Sequence, residues 1–126
     1  MADDDWIAVG NGEQWSELLD LSLEFHDAFS AEARWIGPEC LTASRSVALH
    51  GYGTLHVRAF SQFAEVPYLE LRFGKCRRFQ YRYEDEHSPH VSFSPKGVLA
   101  KILQWELEAE TFDYRKVANL PPVVED

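Results

Sequence analysis

The chain has 126 residues, of which 45% are hydrophobic and 26% are charged, and its formal net charge is −9. These values exclude a disordered chain, and we expect a single domain over residues 1–126. Two cysteines are too few for a disulfide scaffold. The absence of a signal-peptide pattern, and of an apolar run near the roughly 18 residues of a membrane span, favours a cytoplasmic protein without a membrane partner.

The whole net charge lies in the first third of the chain. Residues 1–40 contain ten acidic residues and one basic residue, Arg34, whereas residues 41–126 contain eleven of each kind. Such asymmetry bears on solubility and on the choice of partner. Because a negative chain repels phosphate backbones, we expect no nucleic-acid partner. Residues 1–5 indicate an acidic tail, and residues 118–126 an extended tail.

The first predicted element is a helix over residues 12–24. Its apolar residues recur at helical spacing in one stripe: Trp15, Leu18, Leu19 and Leu23. Asn11 is a suitable N-cap. The opposite face is polar and acidic: Glu13, Ser16, Glu17, Asp20 and Glu24. We expect Leu19 and Leu23 to be buried against a sheet.

After the helix the hydrophobic period changes to two, which predicts strands. In the first strand we expect every second residue to face inward: Phe29, Ala31, Ala33 and Trp35. Further strands are predicted at 46–50, 54–63, 68–73, 78–83, 90–94 and 107–117. Phe112 and Tyr114 leave the phase of the last strand, and a bulge would explain that slip.

Residues 98–105 fit both a helical stripe and a strand, and the turn before them favours the strand. Short connections between successive strands favour antiparallel neighbours. The predicted fold class is therefore α+β, with one N-terminal amphipathic helix packed on a mostly antiparallel twisted sheet of about six or seven strands.

Three motifs have chemical alternatives. His26 and Asp27 are an imidazole and a carboxylate side by side, which suits a general base, but no activated nucleophile accompanies them. Residues 84–90 hold potential metal ligands without a complete zinc set, and we expect neither a metal nor a cofactor. Basic residues alternate with aromatics over 75–83, as on single-strand nucleic-acid platforms, but the aromatics are better explained as core.

Several short segments resemble one group of small bacterial proteins of unassigned activity. They are Phe25-His26-Asp27-Ala28, Arg34-Trp35, Ser61-Gln62-Phe63 and Leu69-Glu70-Leu71-Arg72-Phe73, with a weaker echo at Gln104-Trp105. This group resembles the immunity proteins of bacterial polymorphic toxin systems, over residues 15–83 of this chain. The acidic tail and the Pro121-Pro122 tail depart from the pattern, and the pattern defines no toxin-binding residues.

The resemblance implies a small, acidic, cytosolic and non-catalytic protein that binds one toxin domain tightly. We therefore expect an immunity protein whose partner is a protein, such as a basic toxin domain. The residues predicted to meet it are Glu13, Glu17, Asp20, Glu24 and Glu32. Two alternatives stay open at this point: a structural or adaptor subunit of a larger assembly, and a small enzyme that uses His26 and Asp27.

Overall fold

A computed structural model describes residues 5–49, 51–82, 89–117 and 124–125. The described elements are one α-helix, one short 3-10 turn at Leu23–Phe25 and eleven strands. In chain order they are β1 (Ile7–Ala8), α1 (Gly12–Leu21), β2 (Ala28–Ile36), β3 (Glu39–Leu41), β4 (Val47–Leu49), β5 (Gly53–Ser61), β6 (Tyr68–Cys76), β7 (Arg78–Tyr81), β8 (His90–Ser94), β9 (Gly97–Ile102), β10 (Trp105–Ala109) and β11 (Thr111–Lys116). Of the two predicted tails, only Asp5, Val124 and Glu125 lie within the described residues.

The α+β class and the antiparallel pairing are confirmed, but the single sheet of six or seven strands is wrong. The strands form three sheets: a five-stranded sheet ordered β1-β11-β6-β5-β2, a four-stranded sheet ordered β7-β10-β9-β8, and a separate β3-β4 hairpin. Every strand pairing is antiparallel. No helix within the described residues is long and apolar enough to cross a membrane.

The split into two larger sheets happens where the chain passes directly from one sheet to the other. It does so twice, at Arg77 between β6 and β7 and at Glu110 between β10 and β11. Two backbone hydrogen bonds join the crossings: Arg77 N donates to Glu108 O at 2.8 Å, and Glu110 N donates to Gly74 O at 3.0 Å. The predicted strand 107–117 is thus two strands, and a change of sheet, not a bulge, causes its phase slip.

The ambiguous residues 98–105 are strand up to Ile102. A turn at Leu103, whose φ is 57°, then reverses the chain into β10. The inner faces of the two larger sheets and one side of α1 share a single core, which includes Leu18, Phe73 and Ile102.

Helix α1 begins as predicted but ends earlier. The Asn11 side chain accepts a hydrogen bond from Gln14 N at 2.9 Å, and the helix ends at Leu21. Within α1 only Leu18 is buried, while Leu19 is half-buried, so the helix is less clearly two-sided than predicted.

The expected burial of Leu23 is wrong, since this side chain is 46% exposed. Leu23, Glu24 and Phe25 have φ values of 52°, 56° and 54°, so the chain turns in the left-handed sense directly after α1. The turn points Leu23 outward and leaves Phe25 7% exposed, with its ring stacked on Trp15 at 6.2 Å.

The predicted alternation of β2 is also wrong in its first half. The register against β5 shifts between Ser30 and Glu32, which makes Ala31 the extra residue of a β-bulge. Ala33 still faces the core side, opposite Val57, but Phe29 lies opposite Phe60 on the outer face and is 60% exposed. The bulge reverses which residues before it face the core. The alternation of apolar and polar residues in the sequence does not indicate it.

Candidate functional site

The outer face of the five-stranded sheet carries two rows of charged side chains across four strands. Successive members of each row lie opposite one another in the strand register. The first charged row is Arg115, Glu70, Arg58 and Glu32. The second charged row is Asp113, Arg72, His56 and Arg34. Side chains directly opposite on neighbouring strands lie about 5 Å apart at Cβ, so the alternating signs of the first row attract one another.

Ion pairs hold most of these side chains in place. In the first row Arg115 Nε donates to Glu70 Oε2 at 2.8 Å, and Arg58 Nη1 lies 3.5 Å from Glu32 Oε2. In the second row Arg72 binds Asp113 through two hydrogen bonds of 2.9 and 2.6 Å. A bidentate pair of this kind is among the stronger polar contacts in proteins.

The Trp6 ring covers part of both rows. The guanidinium carbons of Arg72 and Arg115 lie 4.1 and 4.4 Å from the ring centroid, which is cation–π geometry. His56 meets the same ring edge-on, with 6.1 Å between centroids. Trp6 therefore ties the segment that leads into β1 to the outer face of the sheet.

His56 has an unusual position, because an alternating second row would place an anion between Arg72 and Arg34. Its Nδ1 atom is buried without a hydrogen-bond partner among the described residues, and it lies 3.9 Å from Glu70 Oε1. Burial lowers the pKa of His56, and the nearby arginines lower it further while Glu70 opposes them.

A cavity of about 50 Å³ adjoins His56 and is lined by Glu32, Arg34, His56, Arg58 and Glu70. That volume has room for water but not for a ligand of the usual size, which needs about 300 Å³ or more. The outer face is therefore a closely paired charge network and not a substrate pocket.

The predicted partner-binding acids are in a different electrostatic situation. Glu13, Glu17 and Asp20 on α1, together with Glu24 in the turn after it, are exposed and are called the acidic surface below. None of them forms an ion pair with a basic residue in the described part of the chain. The fifth predicted residue, Glu32, belongs to the first charged row through Arg58.

An exposed aromatic patch lies at the end of the sheet where α1 finishes. We define it as Phe29 and Phe60, which lie opposite each other on β2 and β5, together with Phe63 three residues further along the chain; they are 60%, 38% and 92% exposed. Phe63 lies in the loop after β5. That loop is held against the end of the helix, since Val66 N donates to Leu21 O at 3.4 Å. Grouped exposed aromatics on a small domain are typical of a binding surface.

The residues predicted as a possible catalytic pair do come together. His26 Nε2 lies 3.3 Å from Asp27 Oδ2, but the two side chains are 82% and 67% exposed. The contact is possible because Asp27 has a φ of 53°, so the two residues do not alternate as they would in a strand. The pair lies on the surface, without the burial that positions and tunes a general base.

The other predicted clusters are partly outside the described residues. Within 84–90 only Pro89 and His90 are described, and no group of three potential metal ligands is found in the parts of the chain that the structure describes. Two basic side chains of the segment 75–83 lie within ion-pair distance of acidic ones. Lys75 lies 3.6 Å from Glu110, and Arg82 lies 3.4 Å from Glu106. The expectation that its aromatics are core is wrong for Tyr81, which is 50% exposed.

A wider groove of about 550 Å³ lies between β1 and the turn that joins β8 to β9. Val9, Phe93 and Phe112 contribute apolar walls. The guanidinium of Arg77 is already engaged there, since its Nη2 donates to Lys96 O at 2.7 Å and lies 3.8 Å from Glu110 Oε1. The groove therefore presents no uncommitted arginine to a ligand.

Comparisons of the chain with protein-family models, with curated proteins and with solved structures gave no match. Function is therefore inferred from the two surfaces themselves. One is the paired charge network of the sheet, and the other is the acidic surface with its neighbouring aromatic patch.

Proposed function

We propose that this chain is a non-catalytic binding protein that neutralises a bacterial toxin by tight 1:1 binding. The observation that carries the proposal is the unpaired state of the acidic surface. Its four carboxylates are exposed and have no basic partner among the described residues, in a chain whose net charge is −9. A basic partner would supply the missing counter-charges.

The charges of the sheets differ from those of the acidic surface because they are paired, and this difference supports the acidic surface as the binding site. Acids at 106, 108 and 110 each lie within ion-pair distance of a lysine or an arginine. The sheets therefore keep little charge to offer a partner. Charges that face a partner of opposite sign mainly raise the association rate and the specificity of binding.

The aromatic patch supplies what the acids lack, because apolar and aromatic contacts slow the dissociation of a complex. Interfaces combine a desolvated apolar centre with a polar rim, and a few aromatic anchors carry most of the binding energy. Phe63, at 92% exposure, is the most exposed aromatic side chain of the patch. We therefore assign fast association with the partner to the acidic surface and slow dissociation from it to the aromatic patch.

The class of partner follows from the resemblance of segments within residues 15–83 to immunity proteins. The direct test is to express the protein encoded immediately upstream in a bacterium, with and without this chain. We expect growth arrest in the first case and relief in the second, and a 1:1 complex by native mass spectrometry. Failure to relieve the arrest, or a complex with several different partners, would contradict the proposal.

A variant pair tests the role of the patch. We expect Phe63→Ala to raise the dissociation rate by about tenfold or more, as for an interface anchor. Leu41→Ala on the β3-β4 hairpin is the matched control, since Leu41 is also apolar and is 71% exposed. Equal dissociation rates for the two variants would exclude the patch from the interface.

A further inference from the structure

Strand β2 is an open edge of the five-stranded sheet. It is nine residues long, and among the described residues its only strand neighbour is β5. Ala31 to Ile36 are all exposed. An edge strand presents free backbone donors and acceptors that can pair with another strand.

Both charged rows end on this edge with side chains of opposite sign. The first row ends at Glu32, which follows Arg58, and the second ends at Arg34, which follows His56. Glu32 has Arg58 as its ion-pair partner at 3.5 Å. Arg34 forms no ion pair with an acid in the described segments, so the second row ends on an uncompensated cation beside the half-buried His56 imidazole.

We propose that two copies of this chain pair antiparallel through β2, with the two-fold axis at Ala33. In that register Glu32 lies opposite Arg34 of the partner subunit, and Arg34 lies opposite Glu32 of the partner subunit. The first row of each copy continues into the second row of the other, and signs alternate across the junction. The edge is therefore complementary to itself, and the second copy supplies the anion that Arg34 lacks.

Two partly exposed apolar side chains flank the paired segment. Trp35 and Ile36, which are 41% and 48% exposed, follow Arg34 on the side of the axis that faces the bulge of the partner subunit. The bulge at Ala31 interrupts regular pairing beyond the central residues. A short paired segment of this kind gives a small interface, so we expect a dissociation constant on the order of micromolar.

Charge reversal tests the register directly. Either Glu32→Arg or Arg34→Glu places like charges opposite each other twice in the dimer, and we expect each to raise the dimer dissociation constant by about tenfold or more in analytical ultracentrifugation. The matched control is Glu65→Arg, which makes the same charge change as Glu32→Arg at an exposed position in the loop after β5, outside the proposed paired segment. It should leave the constant unchanged.

Mixing the two reversed proteins is the sharper experiment. Each alone carries like charges at 32 and 34, but a heterodimer places two arginines of one copy opposite two glutamates of the other. We expect the mixture to associate at least as tightly as the unmodified chain, and the melting temperature of each variant checks that it folds. A mixture that stays monomeric while both variants are folded would overturn the proposal.

A disulfide test locates the axis independently of charge. On the axis, the two copies of residue 33 have Cα atoms about 5 Å apart, which suits a disulfide. We expect Ala33→Cys, in a Cys40→Ser background because Cys40 is exposed, to cross-link under mild oxidation. Ile36→Cys should not, since its two copies lie about 20 Å apart in this register. A strictly monomeric chain at about 100 μM, well above the expected constant, would contradict the proposal.

Discussion

The outer face of the sheet and the acidic surface of α1 both consist of charged side chains, but they use charge in opposite ways. On the sheet each acid of the charged rows lies beside an arginine, as Glu70 does beside Arg115 at 2.8 Å. On the acidic surface, carboxylates such as Glu17 and Asp20 are exposed without a basic partner in the described chain. Apart from Arg34 at the β2 edge, the charges of the sheet surface neutralise one another, whereas the carboxylates of the acidic surface need counter-charges from a partner.

The difference shows why net charge is a poor guide to where a protein binds. Apart from Arg34 at the β2 edge, the charges of the two rows cancel within the fold, so they stabilise the sheet and attract little. A small number of unpaired acids determines the long-range field, because their charge is not cancelled nearby. The predictions below test whether the two regions really differ in this way.

The largest effect on the free energy of unfolding is expected at the buried side of α1. The acidic side of this helix has a fixed position only because the buried side packs in the core. Leu18 is fully buried, and Leu18→Ala should lower the free energy of unfolding by about 2–5 kcal/mol. Leu23 is 46% exposed, and Leu23→Ala should cost under about 1 kcal/mol. Equal losses in urea denaturation would contradict the burial of Leu18 and the exposure of Leu23.

The next prediction compares the loss of stability when one acid is removed from each region. Glu70 is 8% exposed, and Glu70→Ala leaves the Arg115 guanidinium without its carboxylate. Removing one member of a buried pair costs about 3–5 kcal/mol, and we expect about 2–3 kcal/mol here because Arg115 is partly exposed. Glu17→Ala on the acidic surface should change the free energy of unfolding by less than about 0.5 kcal/mol. Similar values for both would abolish the distinction between the regions.

A smaller effect should appear as a pH dependence carried by His56. Its pKa in the fold is lowered by burial from the ordinary value of 6.5, so below that value the unfolded chain binds protons more readily than the folded one. The stabilising contribution is present above pH 6.5 and is lost as pH falls towards the lowered pKa. Denaturation at several pH values should show this loss for the natural chain but not for His56→Asn, which has no imidazole at this position.

The smallest effect on stability is expected from the acidic surface itself. Asp20→Lys with Glu24→Lys should change the free energy of unfolding by no more than about 0.5 kcal/mol, because neither acid has a partner to lose in the described chain. A loss of several kcal/mol in chemical denaturation would mean that these acids take part in the fold. If its stability is unchanged, the same double variant can be used to measure the association rate with a partner.

Much of the fold is predictable from the sequence because hydrophobic period and capping are local signals. Asn11 marks the start of α1, and a period of two marks β5 and β6. The left-handed turn at Leu23–Phe25 could not be predicted, since it contains no glycine. The bulge at Ala31 and the crossings between sheets at Arg77 and Glu110 also lack a local signature, because tertiary packing decides them.

The acidic surface could be predicted because helical spacing alone places Glu13, Glu17 and Asp20 on one side. The charged rows could not, although the outward phases of His56 and Glu70 follow from strand alternation. The rows exist only once the register between strands is known, and a slip of one residue would dissolve them. Helical spacing therefore predicts the unpaired acids of α1, whereas the ion pairs of the sheet depend on a register that no local pattern fixes.

The most direct test of the central claim is the association rate with the cognate partner, measured by stopped flow at two salt concentrations. If the acidic surface steers a basic partner, Asp20→Lys with Glu24→Lys should slow association by roughly tenfold or more at low salt, and the difference should shrink as salt screens the charges. The control is Glu39→Lys with Glu125→Lys, which makes the same charge change at exposed positions elsewhere and should have a smaller effect. Identical rates for the natural chain and the Asp20/Glu24 variant at both salt concentrations would contradict the account.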